Sequence, residues 1–214
     1  MIQEINILTH VIAGTAALLV GIIPFLTKKG GLRHRKFGKV FLGLMCIVIV
    51  TAFIGVIYFR DRPFLTMITI QSTYLTVSGY RALRYKESGP NQWDFIIALL
   101  VLMAAISFVA RLNYANIVWN KGVVYYLLVF IVLYGTYDLL RVVRWIRGAK
   151  LWLLEHLIKM TGAFTALFSA AAGTVLGSWE FAQIGAAILG SVLFFGVILM
   201  YVLRWRKGVN ISIS

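Results

Sequence analysis

The chain has 214 residues, of which 61% are hydrophobic and 13% charged, with a mean hydropathy of +0.88 and a formal net charge of +14. That composition excludes a separate soluble domain, because no stretch between the apolar segments is long enough to build one. The single cysteine, Cys46, excludes an intrachain disulfide and a multi-cysteine metal site, and reads as a small packing residue.

In chain order, seven apolar segments cover 5–26, 37–59, 64–83, 93–110, 123–140, 151–176 and 181–203, each near the ~20 residues that a helix needs to cross ~30 Å of hydrocarbon. Segment one carries His10, Gly14, Ala17 and Gly21 along one helical stripe, so a neighbouring backbone should approach it closely and His10 should face protein. No basic residue precedes it and no small-residue cleavage pattern follows, so it reads as a retained transmembrane helix. Pro24, near its far end, removes a backbone donor and should kink or terminate it. Segment two holds Cys46 and follows a basic loop. Segment three is polar on more than one face, with Thr66, Thr69, Gln71, Ser72, Thr73, Tyr74, Thr76 and Ser78. Lipid cannot satisfy those groups, which places this helix at the centre of the bundle or beside a wet cavity.

Segment four opens with Asn91 and Asp94, spaced as a helix cap and an N-terminal acid. Segment five ends near Asp138, where the helix dipole disfavours a negative charge; this carboxylate needs a partner, Arg141 or another arginine at that face, or a function. Segment six begins with Glu155 and His156, with Lys159 as the i+4 partner of Glu155, and continues in a stripe of Thr161, Thr165, Ser169, Gly173 and Gly177. Segment seven follows a very short turn at 178–180.

Charge sets the orientation. Of the 21 Lys and Arg, only Arg60, Arg62, Arg111 and Lys121 fall in the loops after segments two and four. The rest lie in the alternate loops and the C-terminal tail, so the positive-inside rule puts the N-terminus outside and the C-terminus in the cytoplasm. All six tryptophans, Trp93, Trp119, Trp145, Trp152, Trp179 and Trp205, stand at or just beyond segment ends, where an indole prefers the headgroup region. The fold class is therefore all-α: a polytopic transmembrane bundle of seven helices in a single domain, residues 1–214. Its basic loops suit anionic lipid at the cytoplasmic face, and they lack the interleaved aromatics of a nucleic-acid platform.

The stretch from His10 to Gly14, the pair His34-Arg35 after Lys28-Lys29-Gly30-Gly31, the run Ser78-Gly79-Tyr80-Arg81-Ala82-Leu83, and Glu155-His156 with Met160 and Ala163 resemble a bacterial family of multi-pass membrane proteins, domain-of-unknown-function family 2306. The resemblance covers most of the chain, except the seventh segment and the turn before it. It implies a bacterial cytoplasmic-membrane location, and a site drawn from His10, His34, Arg35, Arg81, Asp94, Asp138, Glu155 and His156.

On this topology His34 and His156 share the cytoplasmic face while His10 lies near the outer one, which argues against a three-histidine metal site. Adjacent helical residues point about 100° apart, so Glu155 and His156 do not converge on one metal. His34, Asp138 and His156 should gather with Arg35 or Arg81 in one polar cluster, since unpaired ionisable groups near hydrocarbon are costly. Three classes of function fit. In the first, His34 and His156 ligate a b-type haem whose propionates meet Arg33 and Arg35, or the same face binds a quinone headgroup or other small molecule. In the second, the protein is a small-molecule or proton-coupled transporter, with segment three lining the path and Asp138, Asp94 and Arg81 forming a gate. In the third, it is a non-enzymatic assembly or partner-binding protein whose polar groups fix helix register. Walker, Rossmann, HExxH and GxSxG motifs are absent.

Overall fold

A computed structural model describes residues 1–59, 62–115, 117, 120–143, 151–175 and 180–206. These residues form seven α-helices and no strand: α1 (Ile2–Leu26), α2 (Leu32–Ile54), α3 (Pro63–Tyr85), α4 (Gln92–Tyr114), α5 (Lys121–Val142), α6 (Leu151–Val175) and α7 (Glu180–Arg206). A π-helical turn, Gly55–Phe59, prolongs α2, and a 3-10 turn, Lys86–Ser88, follows α3. Four helices are long and apolar enough to cross a membrane: α1, α2 with its π turn, α4 and α5. They carry large exposed side chains such as Leu19, Val50, Leu100 and Leu133, as expected of helices whose outer faces meet lipid. The expectations for Trp119, Trp145 and Trp179, for Gly177 and for the turn at 178–180 concern positions outside the described residues or next to them, as do those for Arg60, Arg144, Arg147, Lys150 and Lys207.

Two helices hold the bundle together. α3 packs on α2, α4, α5 and α6, and α6 packs on α1, α3 and α7. One core gathers Phe64, Met67, Leu75, Ala105, Leu112 and Ile131 from α3, α4 and α5 with Ala163 of α6. The other joins Ala13, Ala17, Phe41, Met45 and Val48 of α1 and α2 to Leu167 of α6. α6 can serve both because its stripe is small: Thr161, Thr165, Ser169 and Gly173 are all buried. The α1 stripe behaves likewise, with Gly14, Ala17 and Gly21 buried. A Cβ at Gly21 would stand 2.7 Å from the Phe164 ring and 3.0 Å from Phe41, so glycine is what lets α1 close on α2 and α6.

The polarity of α3 suits its central place because the helix satisfies its own hydroxyls. Thr69, Thr73, Thr76 and Ser78 each donate to the carbonyl four residues back, to Leu65, Thr69, Ser72 and Tyr74, at 2.7 Å. Buried hydroxyls bonded in this way need no water. Gln71 is buried and Thr73 half-buried. Pro24 lies in the last turn of α1, and the helix ends two residues later. Its carbonyl, left without an intrahelical partner, accepts instead from the Lys29 ammonium and from His34.

Candidate functional site

Where α3, α5 and α6 meet, two carboxylates and two cations form crossed ion pairs. Asp138 of α5 receives the Lys159 ammonium of α6 on both oxygens, at 2.7 and 2.8 Å. Glu155 of α6 receives Nε of Arg141 of α5 at 2.5 Å. All four side chains are buried. Three phenols complete the carboxylates: Tyr74 donates to Asp138 at 2.5 Å, while Tyr85 and Tyr137 donate to Glu155 at 2.6 and 2.9 Å.

This arrangement corrects two expected pairings. Asp138 is partnered by Lys159 and not by Arg141, and Glu155 is partnered by Arg141 and not by Lys159 one turn along its own helix. Depth explains the exchange. Arg141 lies one turn nearer the end of α5 than Asp138, and Glu155 one turn nearer the start of α6 than Lys159, so each charge meets the opposite charge at its own level. The two carboxylates balance the two cations, and every carboxylate oxygen holds a donor, which is the condition under which buried charge is tolerated.

A second pair stands apart from it. Arg81 of α3 binds Asp94 of α4 through Nε at 2.6 Å and Nη2 at 3.0 Å, and also reaches the Asn91 side chain at 3.1 Å. Asn91 and Asp94 form a reciprocal capping box: the Asn91 side chain accepts from the amide of Trp93 at 3.0 Å and the Asp94 carboxylate from that of Asn91 at 2.9 Å. Arg81 and Asp94 therefore tie α3 to the start of α4. Arg81 does not join His34, Asp138 and His156, and Arg35 is exposed.

The two histidines at this end share one mode of anchoring. Nδ1 of His156 donates to the Gly79 carbonyl of α3 at 2.9 Å, and Nδ1 of His34 donates to the Pro24 carbonyl of α1 at 3.2 Å. No hydrogen bond joins either ring to Asp138 or to the other ring among the described residues, so the expected single cluster is divided between carbonyl-anchored histidines and a closed ionic network. The helix faces that carry the rings nevertheless converge. Phe41 lies two turns beyond His34 on α2, Phe164 two turns beyond His156 on α6, and their rings stand 6.3 Å apart. Phe25 of α1 closes edge-on against Phe164 at 5.2 Å.

His10 occupies a different region, between α1 and the far part of α2. Its Nδ1 lies 2.8 Å from the Thr51 hydroxyl, which itself donates to the carbonyls of Ile47 and Val48 at 2.7 and 3.0 Å. Asn6 adds a bond to the Thr51 carbonyl at 3.1 Å. Among the described residues no three His, Cys, Asp or Glu side chains come together as a metal site.

The sequence reading counts Tyr74 among the polar groups of segment three but assigns no carboxylate to it, to Tyr85 or to Tyr137. Only the meeting of three helices gives each phenol a carboxylate. No known family, curated protein or solved structure matches the chain.

Proposed function

We propose that this protein spans a bacterial cytoplasmic membrane seven times, with its C-terminus inside, and binds a b-type haem at the cytoplasmic face between His34 and His156. The length of the helices supports the topology. At about 1.5 Å per residue, the 23 residues of α3, the 25 of α6 and the 27 of α7 each reach across ~30 Å of hydrocarbon, although α3 and α6 are not apolar enough to qualify on composition and α7 is apolar over the shorter stretch Ile184–Met200. Exposed Arg33, Arg35, Lys36 and Lys39 then face the cytoplasm, where they meet anionic lipid and the haem propionates.

One observation carries the cofactor reading: both imidazoles spend Nδ1 on a backbone carbonyl and keep Nε2 for a ligand. Iron-binding histidines are held in this way, since the carbonyl fixes the tautomer and the orientation of the ring. In the network of Asp138, Lys159, Glu155 and Arg141 every carboxylate oxygen already holds a donor, and in this reading the network sets the register of the helices that present the histidines. Phe25, Phe41 and Phe164 supply an apolar wall below the two rings.

Purification in mild detergent from haem-replete cells tests the proposal. The expected result is a Soret band that shifts on reduction and is lost in both His34→Ala and His156→Ala. A colourless protein that also fails to take up added hemin overturns it.

A further inference from the structure

Gln71, near the middle of α3, is only 8% exposed, and its Oε1 has no hydrogen-bond donor. It lines a cavity of about 40 Å³ between α3, α5, α6 and α7. A single water needs ~10–15 Å³, so the space admits more than one water or the polar head of a larger molecule.

Apart from the Tyr134 phenol, the hydroxyls around the cavity have already committed their protons. Thr165 donates to the Gly162 carbonyl at 3.2 Å, Ser169 to that of Ala186 at 3.0 Å and Ser191 to that of Ala187 at 2.6 Å. The Tyr126 phenol rests on the Ser191 hydroxyl. These groups keep lone pairs, and the buried Gln71 oxygen has nothing to accept. An occupant that brings a proton donor relieves the cost of that orphan, whereas one carrying only acceptors leaves it in place.

The cavity adjoins an apolar groove. Tyr126, Ala187 and Ser191 line both the cavity and a groove between α5 and α7, which is walled further along by Ile188, Val192 and Phe195. Those last three side chains are exposed. In a membrane that surface meets acyl chains, so a molecule entering between α5 and α7 arrives from the lipid with its tail in the groove.

We propose that the groove between α5 and α7 and the cavity behind it bind a neutral single-chain lipid bearing a hydroxyl head, which donates to Oε1 of Gln71. The site is separate from the histidines and does not depend on a haem.

Photolabelling tests this in the full-length protein, reconstituted in nanodiscs, with a diazirine-tagged long-chain alcohol as label. Unlabelled 1-hexadecanol should compete at about tenfold lower concentration than its methyl ether, because the ether leaves Gln71 unsatisfied. Label should map to α5 and α7. Gln71→Leu should bring alcohol and ether to parity, and Ala187→Trp, which fills the groove, should abolish labelling. Parity in the unaltered protein, label mapping to other helices, or no competition at all, as from a cavity that holds only water, would overturn the proposal. The comparison of alcohol with ether needs no variant, so a variant that fails to fold leaves the test intact.

Discussion

Lys159 places its ammonium 2.7 and 2.8 Å from the two carboxylate oxygens of Asp138 on another helix, although Glu155 lies one turn back along its own. That choice makes α5 and α6 mutually dependent. It also predicts an asymmetry: Lys159→Met should lower the unfolding free energy by about 3–5 kcal/mol, because Asp138 is left charged and buried, whereas Asp138→Leu with Lys159→Met should recover most of the loss. Thermal unfolding in detergent measures both. A double variant no more stable than the single one would show that the pair contributes more than mutual neutralisation.

Packing at Gly21 should be sharply sensitive. An added Cβ meets the rings of Phe164 and Phe41, so Gly21→Ala should cost about 1–3 kcal/mol. Gly43, also helical, has nothing within 4 Å of the corresponding position, and Gly43→Ala should be neutral or stabilising by up to about 1 kcal/mol. Equal effects at the two sites, measured by the same unfolding assay, would contradict the close approach of α1 to α6.

Orientation is open to a direct test. A reporter active only outside the cytoplasm should be silent when fused after Ser214 and active when inserted at 60–63, because the basic loops are those assigned to the inside. The reverse pattern would invert the proposed topology and move the histidine site to the outer face.

His10 should be independent of the other two histidines. Its ring meets Thr51 and not the helix faces that carry His34 and His156. His10→Leu is expected to leave any Soret band unchanged while lowering stability by about 0.5–1.5 kcal/mol, since one hydrogen bond between α1 and α2 is lost while the Thr51 hydroxyl keeps its bonds to the Ile47 and Val48 carbonyls. Loss of the band in this variant alone would place the cofactor between α1 and α2.

The helices and the composition of their faces were legible from local sequence. Apolar runs near the length of a bilayer marked all seven elements, the spacing of His10, Gly14, Ala17 and Gly21 marked the buried stripe of α1, and the density of hydroxyls marked α3 as central. These properties follow from helical periodicity, which each segment carries by itself. Partner choice did not follow from it. The i+4 rule favours Glu155 with Lys159, and nearness in sequence favours Asp138 with Arg141; the tertiary structure decided otherwise, because it sets each charge of α5 level with the opposite charge of α6, where burial strengthens the pair. The phenols of Tyr74, Tyr85 and Tyr137 and the orphaned oxygen of Gln71 have the same origin. Whether a polar atom in an apolar helix is satisfied depends on what the neighbouring helices bring to its level, and that is fixed only when the helices pack.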